Sequence, residues 1–480
     1  MNIILKGYDD SMCKIMTESM TKGLDIGTCI SICDAPDMLP EFDTDVEHIY
    51  IPALPLRAGQ YPDVDWSEIA PLDEELIESM AHCETVFLKM VERYAIYDDM
   101  SYIERKRQYL RHLRFWSHML DEKKIDLMLL RGPPHQCYDL VIWHLCRHKG
   151  IRTLSMSVFY SMDLICVDEN WEEVGTDIRV RMEELMEEYK HSDTPIELTP
   201  EFEEYFTMYA LKRTTLSWTM SPDHPHLMHK NFLIKWIGPG LRVLIRKPGY
   251  FLLSVFSLKF WIRKCRHHNT RTVYDRLAKE PDLTVPYIYY PLHMQPEATT
   301  CPMAGAFVEQ ELIAQMLAAC IPEGVQIYVK EHPNQGELLR DVEFYETLNA
   351  TASVTLVPRS TNTFDLSENA VAIATATGNA GLEGLFKGRP VLLFGHRYYQ
   401  YAPCVYRIRS TEDCHNAMES IFNNNERPTA RDMRIFLKAA EETAGLCYRG
   451  PASARPPETR EERSAKMGEY VRQKIVAMQL

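Results

Sequence analysis

The sequence has no C-x-x-C pair, although it contains 13 cysteines. They are scattered from Cys13 to Cys447, and only Cys29 and Cys33 lie close together. An odd and scattered set argues against a disulfide framework or a cysteine-based zinc site, and is typical of reduced thiols. The first residues, MNIILKGYDD, lack the long apolar stretch of a signal peptide. We therefore expect them to form the first strand of a cytoplasmic protein.

Long apolar runs are also missing, even where the chain is most apolar. The longest uncharged run there, residues 248–258, has 11 residues, against the roughly 20 that a membrane-spanning helix needs. Acidic residues are absent from residues 230–271, which hold ten Lys or Arg in a chain of net charge −15. Large apolar and aromatic side chains beside these cations predict a peripheral contact with an anionic membrane surface. Packing of the same side chains within the protein is the alternative.

The overall negative charge argues against nucleic acid as a partner. A length of 480 residues, with 45% hydrophobic and 25% charged residues, favours a folded chain of two domains. The first half has strand signals at 3–7, 126–132 and 151–157, with helical signals at 101–124 and 138–150. In the second half, strand signals at 285–290, 325–329, 353–357, 370–375 and 391–394 alternate with helical signals at 306–320, 337–350 and 380–388. This alternation predicts an α/β fold with doubly wound parallel sheets.

Polar clusters follow three of these predicted strands: PLHMQPEATT at 291–300, KEHPN at 330–334 and TATGNAGLEG at 375–384. Doubly wound sheets bind ligands beyond the carboxyl ends of their strands, so we expect the clusters to share one crevice. Gly378 and Gly381 open a helix whose amides favour an anion. Lys330 is suited to a phosphate, His332 to a phosphoryl oxygen, and Glu383 to a ribose diol. These residues predict a site for a nucleotide-activated sugar.

The strings YYPLHMQPEATT, IYVKEHP and TATGNAGLEGLFKGRPVLLFGHRYYQYAP, in this order, resemble the capsule polysaccharide biosynthesis family of bacterial glycosyltransferases. The similarity is dense over residues 285–405. It implies a GT-B-like architecture of two Rossmann-like domains facing across a cleft. The family's Q-P and H-P motifs, here Gln295-Pro296 and His332-Pro333, imply contact with the donor nucleotide in relatives that use CMP-activated Kdo. The expected donor-binding residues are Gln295, Lys330, His332, Thr377, Gly378, Asn379, Gly381 and Glu383.

We expect four divisions of the chain. Residues 1–215 form a Rossmann-like acceptor-side domain, 216–275 a basic apolar linker or insert, 276–425 a Rossmann-like nucleotide-sugar domain, and 426–480 C-terminal helices. The E-D-G-x-x-R-S motif of the Kdo-transferring members is absent; the corresponding segment, VFYSMDLICVDENWEEVG, offers Asp163 and Asp168 instead.

For the acceptor-side catalyst the sequence offers His135 in RGPPHQ, at the end of a predicted strand. Its imidazole is suited to deprotonating an acceptor hydroxyl, and a structural histidine beside two prolines is the alternative. Glu84 is a second candidate. The HPHLMH string at 224–229 has no carboxylate or cysteine nearby to complete a metal site, so we expect neither metal nor cofactor.

The expected function is transfer of a sugar from a nucleotide donor to a capsule, other surface-polysaccharide or lipid-linked acceptor, with a CMP-linked donor as one option. The expected location is the cytoplasm, with peripheral attachment to the inner membrane as an option. Two alternatives stay open. One is a CDP-polyol phosphotransferase of the teichoic-acid type, and the other is a non-catalytic component of polysaccharide export.

Overall fold

The computed structural model describes residues 1–8, 10–35, 37, 39–42, 45–98, 100–159, 164–211, 258–333, 335, 340–446 and 459–479. Within these ranges, thirteen strands form two sheets. The strands are β1 Asn2–Lys6, β2 Thr28–Cys33, β3 Glu47–Pro52, β4 Leu127–Leu130, β5 Arg152–Phe159, β6 Leu164–Asp168, β7 Tyr287–Pro291, β8 Gln326–Lys330, β9 Val354–Leu356, β10 Ala372–Thr375, β11 Val391–Leu393, β12 Val405–Arg407 and β13 Gly445–Leu446.

The described α-helices flank these strands. They are α1 Ser11–Thr21, α2 Ala53–Arg57, α3 Glu74–Ser79, α4 Ala81–Asp98, α5 Tyr102–Glu122, α6 Tyr138–His148, α7 Thr176–Glu188, α8 Pro200–Leu211, α9 Leu258–Leu277, α10 Glu311–Cys320, α11 Val342–Ala350, α12 Thr363–Asn369, α13 Asn379–Phe386, α14 Thr411–Met418, α15 Ala430–Thr443 and α16 Arg460–Ala477. Short 3-10 turns lie at Trp171–Glu173 and Gly305–Val308, and a π turn at Glu419–Asn423.

Both sheets have the strand order of a dinucleotide-binding fold. The second sheet runs β12-β11-β10-β7-β8-β9, and all its neighbouring strands are parallel. The first runs β13-β6-β5-β4-β1-β2-β3, with β6 antiparallel to both of its neighbours. In each sheet the order reverses direction at one pair of neighbours, β1 and β4 in the first sheet and β7 and β10 in the second. Ligands of such folds bind at these switch points.

The elements form for local reasons that the sequence shows. On α5, Tyr109, Leu113, Trp116 and Leu120 fall at helical spacing and are buried, so one face of the helix packs on the core. Ser101 begins α5 in a capping box with Glu104.

The strand predictions in both halves are confirmed. The single helix expected over 306–320 is wrong, because a 3-10 turn precedes α10, which begins at Glu311.

The end of the chain returns to the first sheet. Strand β13 pairs with β6, and α16 packs along α1, where a Cβ on Gly468 would lie 2.2 Å from the carbonyl oxygen of Met16. Helix α7 packs against α15, and both contribute to a core that also includes Phe159 and Leu382. The two sheets are therefore joined by shared apolar packing as well as by polar contacts.

Among the helices in the described parts of the chain, none has the length and apolar character needed to span a membrane.

Candidate active site

The second sheet's switch point is organised by His293, just beyond the end of β7. Its Nε2 atom lies 3.0 Å from the hydroxyl oxygen of Thr375, the last residue of β10, and accepts a bond of 3.4 Å from the amide of Thr377. Burial lowers the pKa of His293 to about 3, and the nearby charge of His332 adds to the shift. The ring is therefore neutral. Gly378 leaves room for it, since a Cβ there would lie 2.7 Å from the His293 ring.

A buried ion pair between Glu331 and Arg340 lies beyond the end of β8. Glu331 is 1% exposed and Arg340 is 6% exposed. The guanidinium Nε donates to the carboxylate across 3.3 Å, and the hydroxyl of Tyr345 donates to the same carboxylate. Glu331 also accepts from the amide of His332 at 2.7 Å, while Arg340 donates to the carbonyl of His293 at 2.9 Å. This pair therefore ties the His332 loop to the His293 loop.

Gln295 takes part in this network through its side chain and its backbone, and its expected contact with a nucleotide stays a prediction. Its side-chain oxygen accepts from Arg340, and its side-chain nitrogen donates to the carbonyl of Val308 at 2.9 Å. Its backbone exchanges two hydrogen bonds with the side chain of Gln335, at 2.9 and 3.0 Å. With 4% of its surface exposed, Gln295 holds the loop that carries His293.

Thr377 and Gly381 also have structural tasks. The hydroxyl of Thr377, which is 1% exposed, donates to the carbonyl of Thr299 at 2.7 Å. A Cβ on Gly381 would lie 2.5 Å from the hydroxyl oxygen of Tyr399, so this glycine permits close packing. Both were expected to bind the donor directly. Their contacts shape the turn before α13, and donor binding by Thr377 and Gly381 stays a prediction.

The N-terminus of α13 faces a guanidinium that the sequence did not single out. Arg397 follows β11 and donates from Nη2 to the side-chain oxygen of Asn379 at 3.0 Å. Its charged carbon lies 4.8 Å from the ring centre of Tyr398. The first amides of a helix have no partners within it, so this end and Arg397 together favour an anion. Glu383 lies half-buried on the second turn of α13.

Lys330 ends β8 on the other side of the His332 loop. It is 9% exposed, and its ammonium donates to the carbonyl of Thr361 and, at 2.9 Å, to the hydroxyl of Thr363. Burial lowers the pKa of Lys330 to about 8. His332 is partly buried, and burial lowers its pKa too. The roles of Lys330 and His332 as phosphate ligands stay predictions.

His135 lies beyond β4, at the switch point of the first sheet. Its backbone amide and that of Gln136 donate to Asp139, at 3.1 and 2.7 Å, and Asp139 pairs with Lys6 at 2.6 Å. The His135 Nδ1 atom bonds to the carbonyl of Pro133 at 2.8 Å. Because only a protonated nitrogen can donate there, Nε2 is left as the basic atom. Burial and the charge of Lys6 lower the pKa of His135, which favours the neutral form of the ring.

A strained turn holds this histidine in place. Cys137 has φ 69° and ψ −66°, and the amide of Tyr138 donates to the carbonyl of Gln136 at 2.9 Å. These values define a γ-turn, a conformation that L-residues rarely adopt. The backbone of this loop is therefore kept in a costly geometry directly beside His135, as is common at functional sites.

The two switch points are joined by Arg93 on α4. Its Nη1 donates to the carbonyl of His135 at 2.9 Å, and its Nη2 donates to the carbonyl of Cys301 at 2.8 Å. Near this bridge lies Glu297, whose carboxylate accepts from the hydroxyl of Thr299 at 3.0 Å. Burial raises the pKa of Glu297. Neither Arg93 nor Glu297 was expected from the sequence to be a site residue, although Glu297 directly follows the Q-P motif.

Glu84 lies apart from these contacts. It forms an ion pair with Lys106 between α4 and α5, and none of its described contacts joins it to His135. Of the two acidic candidates near β6, Asp168 accepts from the amides of Gly175 and Thr176 at 3.1 Å each. Asp163 lies outside the described residues, as do the HPHLMH string and residues 230–257 of the basic segment.

No group of three or more His, Cys, Asp or Glu is placed to hold a metal ion within the part of the chain that the structure describes. None of the cysteines described there forms a disulfide bond.

The two sheets and their opposed switch points define an α/β protein of the GT-B-like class, with two Rossmann-like domains. The sequence pattern of the family described as Capsule polysaccharide biosynthesis protein matches residues 295–419, which include His332, the α13 turn and Arg397. The resemblance noted in the sequence is thus confirmed for this part of the chain. No curated protein matches the chain significantly.

Solved structures similar to this chain share little sequence with it. UDP-GlcNAc 2-epimerase from Methanocaldococcus jannaschii is 11% identical, with 92% of this chain and 97% of that chain covered and a TM-score of 0.26. The beta Kdo 2,7 transferase of Thermosulfurimonas dismutans KpsC is 10% identical, with 70% of this chain and 89% of that chain covered and a TM-score of 0.29. The beta Kdo 2,4 transferase of the same KpsC is 13% identical, with 71% of this chain and 87% of that chain covered and a TM-score of 0.30. Because these scores are low, the fold class rests on the strand order.

Proposed function

We propose that the protein is a glycosyltransferase of surface-polysaccharide synthesis, which transfers a sugar from a nucleotide-activated donor to a polysaccharide or lipid-linked acceptor. A CMP-linked donor is the specific case suggested by the Q-P and H-P motifs. The donor lies against the second domain, and the acceptor approaches from the first. Transfer forms a bond between an acceptor oxygen and the anomeric carbon, while the bond from that carbon to the phosphate oxygen breaks.

The observation that carries this proposal is the meeting of three strand-end loops at one switch point, opposite His135. His293 joins the β7 and β10 loops, and Arg340 joins them to the His332 loop. The N-terminus of α13 and Arg397 supply positive charge for the leaving nucleotide phosphate. These groups need no metal to stabilise a departing phosphate.

His135 is the proposed general base. Its neutral ring, with Nδ1 engaged by Pro133, can take the acceptor hydroxyl proton on Nε2. Correctly placed general bases contribute roughly 10²–10⁴-fold to rate. His135→Asn should therefore lower transfer by at least about 100-fold without weakening nucleotide binding. The exposed His148, at the end of α6, gives a matched control. Equal transfer by His135→Asn and His148→Ala would remove His135 from this role.

Product analysis separates this function from its rivals. A glycosyltransferase releases the nucleotide with its phosphate, and the product contains a new glycosidic bond without phosphorus. A CDP-polyol phosphotransferase would leave a phosphodiester in the product, which phosphorus NMR detects directly. A non-catalytic export component would neither consume a donor nor bind a nucleotide.

Peripheral membrane attachment through residues 230–271 is part of the proposal. The ten cations and the absence of acids in this segment support it, since each cation near an anionic leaflet adds about 1 kcal/mol. Co-sedimentation with vesicles that contain phosphatidylglycerol should exceed co-sedimentation with neutral phosphatidylcholine vesicles. Equal sedimentation with both would contradict membrane attachment by charge.

A further inference from the structure

A cavity of about 400 Å³ lies outside the site described above. It is formed by the segment that follows β3, residues 53–66, which begins with helix α2, and by helix α5. We call it the α5 cavity. Its lining residues are Pro55, Gly59, Gln60, Tyr61, Pro62, Trp66 and Arg111. The volume falls within the range of pockets that hold small ligands, about 300–1,000 Å³. No acidic side chain is among the lining residues.

The lining combines apolar surfaces with hydrogen-bond donors. Two aromatic rings and two prolines supply the apolar part, while Gln60 and Arg111 supply donors. The Arg111 Nη1 atom donates to the carbonyl of Gly59 at 3.3 Å. Within the described residues, no carboxylate lies within ion-pair distance of Arg111. A sugar ring has an apolar C–H face and a rim of hydroxyl groups, so this combination of surfaces is complementary to it.

The loop that forms the cavity is held firmly by α5. The hydroxyl of Tyr61 bonds to His112, and its ring centre lies 5.7 Å from that of Trp66 in an edge-on arrangement. The guanidinium of Arg114 lies 5.5 Å from the Trp66 ring centre and donates to its backbone carbonyl at 2.8 Å. The two aromatic side chains are therefore positioned before any ligand arrives, which reduces the entropy lost on binding.

The place of this loop in the fold relates the cavity to His135. Strand β3 is parallel to β2, β1 and β4, so its carboxyl end lies at the same edge of the sheet as the His135 loop. Between β3 and β4 there are three strand spacings, or about 14 Å along that edge. An oligosaccharide can span such a distance, whereas a single sugar unit cannot.

We propose that the α5 cavity binds a sugar unit of the acceptor chain, away from the unit that receives the transferred sugar. This inference rests on the proposed function, because it treats the acceptor as an oligosaccharide. Trp66 and Tyr61 provide the apolar contact, and Arg111 binds hydroxyl or carboxylate oxygens of the same unit. The cavity thereby gives longer acceptors a higher affinity than short ones.

Binding to an array of bacterial surface oligosaccharides tests this inference without a donor. We compare the wild-type protein with Trp66→Ala and Arg111→Gln, and use Arg107→Gln, an exposed arginine on the same helix, as the matched control. The two cavity variants should lose at least tenfold in affinity for the glycans that the wild-type protein binds. Arg107→Gln should keep that affinity. If Trp66→Ala does not fold, Trp66→Phe and Arg111→Lys, which preserve the ring and the charge, should retain binding while Arg111→Gln loses it.

Two results would overturn the inference: no array glycan binds the wild-type protein, or both cavity variants bind as the wild type does. Nucleotide-induced thermal shifts, measured on the same proteins, separate this failure from failure of the proposed function. If a nucleotide still raises the melting temperature and the variants bind glycans as the wild type does, only the proposal for the α5 cavity is rejected. A missing nucleotide shift in the wild-type protein rejects the proposed donor site, and a loss of glycan binding in Trp66→Ala would still support the cavity.

Discussion

The Nε2 atom of His293 lies 3.0 Å from the hydroxyl oxygen of Thr375, so the loops after β7 and β10 meet where the sheet reverses its strand order. This contact exists only because the residue at 378 has no side chain. A Cβ there would lie 2.7 Å from the His293 ring and 2.9 Å from the Thr375 hydroxyl oxygen. The geometry of the candidate donor site therefore depends on Gly378.

Gly378→Ala should destabilise the protein by about 1–3 kcal/mol, the usual cost of overpacking a tight site. It should also weaken nucleotide binding, because the His293 ring has to move. Urea unfolding and calorimetric titration measure the two effects. Adding His293→Ala removes the clash with the ring and leaves only the contact with the Thr375 hydroxyl, so the double variant should be more stable than the sum of the single losses predicts. Additive losses would contradict the contact as the cause.

Arg340→Met should cost about 3–5 kcal/mol of stability, since it leaves the Glu331 carboxylate buried without its counter-charge. Urea unfolding is the measurement. Glu331→Gln combined with Arg340→Met should recover part of the loss, because no unpaired charge remains. Arg152→Met, in the exposed pair with Glu169, is the control and should cost no more than about 1 kcal/mol. Similar losses in Arg340→Met and Arg152→Met would mean that the buried pair is not needed.

Arg93→Gln should lower transfer about 10–100-fold, because hydrogen bonds from a charged group contribute about 1.5–3 kcal/mol. Arg93 connects the His135 and Cys301 carbonyls and does not touch α13. Nucleotide affinity should therefore stay as in the wild-type protein, while kcat/KM for the acceptor falls. Steady-state kinetics and calorimetry distinguish these quantities. A parallel loss of nucleotide affinity would show that the bridge does more than align the two domains.

Nucleotide affinity should depend on pH through Lys330, whose pKa is lowered to about 8 by burial. Below pH 8 the ammonium already carries its proton, so affinity should not vary through this group. Above pH 8 binding must first restore the proton, and Kd should rise by up to about tenfold per pH unit. Calorimetric titration with CMP from pH 7 to 9.5 measures the slope. Lys330→Met should remove it, and an unchanged slope in that variant would assign the titration to another group.

The sequence predicted the framework of the second domain well, because parallel buried strands leave continuous apolar runs. The runs that became β7, β8, β10 and β11 end at the polar loops that meet in the structure. Edge elements were harder to predict. Strand β3 is only half-buried, so its residues do not form a continuous apolar run.

Individual site residues were less predictable than loops. His293 looked like one more polar residue in PLHMQPEATT, since its partner Thr375 is 82 residues away. Arg93 joins carbonyl groups 42 and 208 residues away, and no local pattern records such a bridge. Gln295 belongs to a motif that suggested a ligand contact, yet its amide is occupied by Arg340 and Val308. Spacing along the chain can show that loops meet, but not how their side chains share the available hydrogen bonds.

Thermal unfolding with CMP, CDP, UDP and GDP tests the central claim most directly, because a ligand at 100 times its Kd stabilises the folded protein by about 2.7 kcal/mol. At least one nucleotide should raise the Tm of the wild-type protein and of His148→Ala, and His332→Ala should lose that rise. If no nucleotide raises the Tm, or if His332→Ala responds as the wild type does, the three loops do not form a donor nucleotide site.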